Sequence, residues 1–524
     1  MHFGAHQDLE LLGLLVAAGG LLVLAPALRV PLPILLVLGG VAMGFVPGLP
    51  HVALPPAVIL VAVLPPLLYS GAFFTSLRDL RANKRPISLL AFGLVGATMA
   101  TVGVVAHEWV HLSWAVAFTL GAIVSPTDAL AATEITRRLG APRRIVSIIE
   151  GESLVNDGTA LVLYKAAIGA AVGATFSLAD TSGRVVLNVI GGIAIGLGVG
   201  WIVRQIRRRL DNPPTEVAIA VLSGYLAYLP ADAAGVSGVL AAVTIGVYMG
   251  WYTPELTNER TRLSGDAFWE IFVFLVNALV FVLVGLQLRP ILDALSGSTG
   301  RLAAYAALVC GAVLVTRIVW IPIFTYLPRF LFRTVREHDP YPPWQFPAII
   351  SWAGIRGAVS LVAALALPTN FPDRGLILFL TFAVIVATLV LQGLTLPALI
   401  RVLNVSDDGG AEREEAKARI KAAEAALARL EELLADGVVR QDTAERLRGQ
   451  FSFRASRFRA RFDDEDDGAI EEQSRAYQRV MRELLAAEQA ALLALRNERI
   501  VDDNVVQRVQ RDLDLEAARL DTVS

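Results

Sequence analysis

Between residues 9 and 400 the chain is a succession of apolar runs, each about 20 residues long and separated from the next by a short polar cluster. Little else constrains a fold so tightly. Coiled as a helix, a run of that length matches the thickness of a bilayer's hydrocarbon core, and in lipid every backbone donor and acceptor must be bonded within the protein. The predicted class is therefore an all-α polytopic membrane protein. Thirteen spans can be read, at 9–27, 30–47, 53–74, 87–107, 110–134, 146–170, 185–205, 214–230, 235–251, 268–288, 302–324, 345–367 and 376–400. The first follows Met1-His2-Phe3-Gly4-Ala5-His6-Gln7-Asp8, which lacks the basic segment of a secretory leader and so reads as a span.

The basic residues orient the spans. With the N terminus outside, the cytoplasmic connections carry 18 arginines and lysines, among them Arg78, Arg81, Lys84 and Arg85, Arg137, Arg138, Arg143 and Arg144, and Arg329, Arg333 and Arg336. The opposite connections carry four: Arg184, Arg289, Arg301 and Arg374. A bias that alternates this regularly predicts the N terminus out and the C-terminal tail in the cytoplasm of a cell inner membrane. Only 18% of the residues are charged, against roughly 25% in a soluble domain, and the deficit lies in residues 1–404. Such a composition excludes a soluble α/β enzyme, a disordered chain and a disulfide scaffold. The single cysteine, Cys310, sits in an apolar run and reads as a packing residue.

Few ionisable groups fall at membrane depth: Asp128, Glu150, Glu152, Asp157, Lys165, Arg317 and Arg356. Each is costly there and should face a partner or a wet cavity. Lys165 and Arg317 have no acidic company in their own spans and read as structural or snorkelling groups near helix ends, and Glu270 as interfacial. The others cluster. The fifth span contains Ser125-Pro126-Thr127-Asp128, where the proline removes a donor and frees backbone carbonyls beside a hydroxyl and a carboxylate. In the sixth span, Ser153, Asn156 and Asp157 share one helical face, with Glu152 one turn before Asn156. No packing requirement asks for that in an apolar helix. In the twelfth, Gly354 and Gly357 flank Arg356, which stays protonated and is expected to find a carboxylate.

If the seventh span is a linker, spans 1–6 and 8–13 form two inverted six-helix repeats, with interrupted helices 5 and 12 in corresponding positions. Paired interruptions of that kind point to a transport site near the bilayer midplane.

Ser125-Pro126-Thr127-Asp128, Gly151-Glu152-Ser153-Leu154-Val155-Asn156-Asp157 and Gly354-Ile355-Arg356-Gly357 together resemble the signature segments of monovalent cation:proton antiporters of the NhaP-type branch, related to the mammalian sodium/proton exchangers. The run from Glu150 to Tyr164 and Leu391-Gln392-Gly393-Leu394-Thr395-Leu396-Pro397 resemble the bacterial form in particular. The resemblance covers residues 1–404. It implies an inverted-repeat fold, a homodimer, and a core that slides against a dimerisation domain. It makes Asp157 the carboxylate for which cation and proton compete, with Thr127, Ser153 and Asp128 completing a Na⁺ shell. It further implies that Glu152 contributes through water while pairing with Arg356, and that Asn156 orients the site. No cofactor is expected; the cargo is Na⁺ (or Li⁺ or K⁺) and H⁺. The partners are those ions, lipid and a second copy, with no nucleic acid. Two other readings stand beside Na⁺/H⁺ exchange: K⁺/H⁺ exchange, since ligand types do not fix cavity size, and a membrane-anchored sensor or an ion channel. No nucleophile–base pair stands near the carboxylates, so an enzyme is not expected.

Residues 405–411 read as a linker and 412–524 as a helical cytoplasmic tail; from Asp407 to the end the charge is about −7, against about +5 upstream. Ile420, Ala423, Leu427, Leu430 and Leu434 form one apolar stripe, and Ile470, Tyr477, Val480, Leu484, Ala487 and Ala491 another. Phe451, Phe458 and Phe462, set among arginines, form a face that suits anionic lipid or is equally neutralised by the following Asp463-Asp464-Glu465-Asp466-Asp467.

Overall fold

A computed structural model describes residues 19–20, 31–46, 61–171, 178–293, 295, 298–406, 409–460, 469–498 and 500–521. The predicted span 9–27 lies outside the described residues but for 19–20. Among the described residues all regular structure is helical. The chain divides into two compact units, Met1–Asp407 and Asp408–Ser524.

In the first unit the principal helices are α1 (Leu32–Gly44), α2 (Leu64–Phe73), α3 (Lys84–Glu108), α4 (Trp114–Val124), α5 (Ala129–Arg138), α6 (Arg143–Ala171) and α7 (Leu178–Arg207). They continue with α8 (Pro213–Ala233), α9 (Gly238–Leu256), α10 (Glu259–Leu286), α11 (Thr299–Leu331), α12 (Gln345–Trp352), α13 (Ala358–Leu365) and α14 (Arg374–Val402). Among the described residues six stretches are long and apolar enough to cross a membrane: α3, α4 with α5, Val186–Arg207 of α7, Glu259–Asp293, α11 and α14. Polar loop residues start the helices: the side chains of Asn212, Ser237 and Asn258 accept from the backbone N–H three residues on, capping α8, α9 and α10.

Among the described residues two apolar cores organise the unit, with a third cluster where they adjoin. The larger joins α1, α3 to α6, α11 to α14 and the C-terminal half of α10. The second gathers α2, α7, α8, α9 and the N-terminal half of α10 around Tyr69, Ile245, Met249 and Trp269. Leu154 of α6 meets Leu68, Tyr228 and Val243 where the two groups of helices adjoin. Helices α1 and α10 cross backbone to backbone: a Cβ on Gly40 would strike the Val282 carbonyl, and one on Gly285 the Val37 carbonyl.

The predicted fifth and twelfth spans are each two helices. The first breaks over 125–128, between α4 and α5; the second over 353–357, between α12 and α13. Helix α11 overruns its predicted span: it has 33 residues against 302–324, which puts Arg317 near its middle and not near an end.

In the second unit α15 (Gly410–Ala435) packs on α16 (Gln441–Ala460), and α17 (Ala469–Asn497) on α18 (Asp503–Asp521). The α15 stripe is as expected, with Ala423 and Leu430 buried. The α17 stripe is displaced: Gln478, Leu485 and Leu492 are buried, while Tyr477, Val480 and Leu484 are exposed. The phenylalanine face is also differently used. Phe458 is buried within this unit, with the Arg419 guanidinium 5.1 Å from its ring, so it is not available to lie on lipid.

Candidate functional site

The two helix breaks cross. The backbone N–H of Asp128 donates to the Ile355 carbonyl at 2.8 Å, tying the break after α4 to the break after α12. Four helix ends meet there, and each carries about half a unit charge from its unpaired backbone groups. Asp128 answers one positive end: its Oδ1 accepts from Leu130 N–H at 2.9 Å and caps α5. Arg356 answers the negative ends. Its Nε donates to the Val124 carbonyl, the last of α4, at 3.1 Å, and its Nη1 donates to the Gly354 carbonyl just past α12. Its own N–H donates to Thr388 Oγ1 at 3.1 Å, at a π-helical turn over Thr388–Gln392 in α14.

Arg356 therefore does not pair with Glu152, contrary to the expectation from sequence. Two helix C-terminal ends take the place of the carboxylate. Glu152 pairs instead with Arg317 of α11, whose Nη1 and Nη2 donate to Oε1 at 2.5 Å and Oε2 at 2.8 Å. The Arg317 side chain is 1% exposed and that of Glu152 2%, and Nε and Nη2 of Arg317 also bond the Ile350 carbonyl at 3.2 and 2.9 Å. The reading of Arg317 as a helix-end group is thereby corrected. Its partner lay in another span, where a search along its own span does not look.

The polar face of α6 engages the first break atom by atom. Ser153 Oγ donates to the Thr127 carbonyl at 2.9 Å and accepts from Ala129 N–H at 3.2 Å. Thr127 Oγ1 donates to Glu152 Oε1 at 3.1 Å and accepts from Asn156 Nδ2 at 2.8 Å. Each hydroxyl thus retains one free lone pair. Asn156 Oδ1 is buried with no donor among the described residues. Asp157 is 7% exposed, and among the described residues no side chain donates to its carboxylate and no cation pairs with it.

Thr127, Asp128, Ser153 and Asp157 all line one cavity of about 830 Å³, whose far wall is α10, with Asp266 and Glu270. Glu152, Asn156 and Arg356 do not line the cavity and are buried. Glu150 reaches the same cavity and is paired with Arg137, whereas Lys165 stands apart, 62% exposed and 3.2 Å from Asp232 of α8. Gly357 has a steric reason: a Cβ there would collide with the Asp128 carboxylate, just as one on Gly354 would collide with Arg317. The Asp128 and Asp157 carboxylates, with no cationic partner among the described residues, and the two hydroxyls with spare lone pairs are hard oxygen donors. They suit a desolvated monovalent cation or a proton.

Residues 13–402 match the family model described as "Sodium/hydrogen exchanger, transmembrane". An uncharacterized Na⁺/H⁺ exchanger of Mycobacterium tuberculosis is 36% identical over 508 residues, covering 95% of this chain and 93% of the relative. The sodium, potassium, lithium and rubidium/H⁺ antiporter of Bacillus subtilis is 33% identical over 390 residues, covering 71% of this chain and 58% of the relative. The structure of the sodium proton antiporter MjNhaP1 from Methanocaldococcus jannaschii at pH 8 superimposes with a TM-score of 0.59 at 20% identity, covering 74% of this chain and 98% of that one.

Proposed function

This chain belongs to the sodium/hydrogen exchanger family, and on that premise we propose that it exchanges Na⁺ or Li⁺ for H⁺ across the cytoplasmic membrane, serving pH and sodium homeostasis. The observation that carries the reading is Asp157: a carboxylate with no side-chain donor or cation among the described residues, facing a cavity it shares with Asp128, Thr127 and Ser153. Cation and proton compete for that one group, and the hydroxyls and the Asp128 carboxylate complete the cation's shell. Glu152 is engaged at both carboxylate oxygens by Arg317 and is not the group for which the ions compete. Asn156 cannot ionise. Asp157 then takes one proton for each cation released, so turnover is electroneutral, and a rate that moved with clamped membrane potential would contradict it.

The cavity lies where the two groups of helices adjoin, which supports alternating access by an elevator-type slide of one against the other. We place the N terminus outside and the tail inside, as the arginine bias requires, in thirteen spans with inverted repeats and a homodimeric assembly. A second reading, K⁺/H⁺ exchange, is favoured by the potassium in the name of the Bacillus relative. Collapse of an imposed pH gradient in proteoliposomes, tried with Na⁺, Li⁺ and K⁺ separately, decides between them. Asp157→Asn should abolish that collapse for every cation while leaving protein in the membrane, and substantial residual flux would overturn the assignment.

A further inference from the structure

Away from the cavity, three arginines from three elements converge on one carboxylate. Asp339, in the connection from α11 to α12, accepts at Oδ2 from Arg329 Nη2 at 2.5 Å and at Oδ1 from Arg144 Nη2 at 2.7 Å. The third contact is slack: Arg85 Nη1 stands 3.4 Å from Oδ2. Nη2 of Arg85 is buried with no acceptor among the described residues. A guanidinium nitrogen in that position normally finds an oxygen. Acids close in sequence are engaged elsewhere, Asp79 by Arg143 at 2.9 Å and Glu337 by Arg333 at 2.8 Å. The cluster therefore carries a local excess of two positive charges.

These groups rim a cavity of about 50 Å³, room for roughly four water molecules. Below the arginines its wall is apolar: Leu89 and Leu90 of α3, Trp320 and Phe324 of α11, and Phe346 of α12. The adjoining face of α11 presents Ile323, Leu327 and Phe330, 43%, 47% and 75% exposed. A pure ion-pair clasp explains Arg329 and Arg144. It explains neither the unspent donor of Arg85 nor a basic rim set on a wall that runs into the exposed apolar face of a spanning helix.

We propose that this pocket binds a phosphate group, that of an anionic phospholipid, with the phosphate oxygens accepting from Arg85 and Arg144 and the acyl chain lying along α11. Phosphate supplies the acceptors that planar guanidinium forks match, and its charge offsets the local excess. Basic pockets between spanning helices are where anionic headgroups are held. The size of the cavity suits a headgroup phosphate and leaves the chains outside. Arg85 is the selective element, because it contributes least to the Asp339 clasp and has a donor to offer.

The test is thermal stability of the full chain in detergent, titrated with phosphatidylglycerol, with phosphatidylcholine, and with inorganic phosphate. Phosphatidylglycerol should raise the melting temperature saturably, and Arg85→Gln should raise the half-saturating concentration about tenfold, the loss of one charge-assisted hydrogen bond. Arg85→Lys should recover part of it. An equal response to inorganic phosphate, lost in the same variant, upholds the site and makes the free ion its occupant. No response in the wild type, or the same response in wild type and Arg85→Gln, overturns the proposal. If Arg85→Gln does not fold, Arg144→Gln, whose side chain is 37% exposed, carries the same test.

Discussion

Replacing Glu152 by glutamine should destabilise the membrane unit by about 3–5 kcal/mol, because Arg317 is then left as a buried charge without its counter-charge. The structure places the loss within that range. Both side chains are at most 2% exposed, so no solvent screens the pair or hydrates the survivor. Arg317 keeps its two bonds to the Ile350 carbonyl, and the amide oxygen of glutamine still accepts one more, so glutamine falls at the lower end and Glu152→Ala at the upper. At the low sensitivity of a large unit, roughly 2 °C per kcal/mol, the melting temperature falls by on the order of 5–10 °C. The measurement is a double-mutant cycle on purified protein. Glu152→Gln with Arg317→Gln removes both charges and should recover 1 kcal/mol or more of the summed single losses, at about the middle of the coupling range for contacting residues. The pair Glu152→Gln with Arg356→Gln should recover less, since Arg356 is bonded to helix-end carbonyls. Losses at 152 and 317 that add to within about 0.5 kcal/mol, or the larger coupling appearing at 356, would refute the assignment.

Thr127→Ala and Ser153→Ala each remove one neutral oxygen and should weaken apparent cation affinity in the pH-gradient assay more than maximal rate; a change in maximal rate alone would deny the ligand role. Gly357→Ala puts a methyl group into the Asp128 carboxylate and should cost about 1–3 kcal/mol and most transport with every carboxylate intact, whereas wild-type exchange would mean that the break is not tightly packed. Burial alone would raise the Asp339 carboxyl, but hydrogen bonds from Arg329 and Arg144 and their charges hold it below its ordinary value. Since the folded value is the lower one, this stabilisation is complete above the unfolded value of about 4 and is lost as pH falls through the folded value, so Asp339→Asn should melt below wild type at pH 7 and the gap should close in acid; a constant gap would contradict the linkage.

Both helix breaks were legible because their causes are local: Pro126 removes a donor, and Gly354 and Gly357 leave room where another element crosses. The polar face of α6 was legible for the same reason, since Ser153, Asn156 and Asp157 share it by helical geometry alone. The partner of Glu152 was not. Two arginines, Arg317 and Arg356, are available in other spans, and periodicity is silent on which of them a fold brings to a given carboxylate. The deciding fact was that α4 and α12 both end against Arg356, a tertiary arrangement in which helix ends stand in for an acid. The α17 stripe failed in a similar way: apolar spacing selected Tyr477, Val480 and Leu484, whereas packing within the unit buries Gln478, Leu485 and Leu492.

The bond from Asp128 N–H to the Ile355 carbonyl has a bearing on direction. Together with the Arg356 bond to Val124 and the Ser153 bonds to Thr127 and Ala129, it fastens the two breaks and α6 into a single piece. The half of the pocket fastened in that way would keep its internal spacings on whichever side of the membrane the proposed exchange opened it. On the proposed exchange, the order in which its oxygens prefer Na⁺, Li⁺ and K⁺ would then be the same for influx and efflux. A cell harbouring this protein would have no means of making it choosy in one direction and permissive in the other, and only the gradients would decide which ion travels which way.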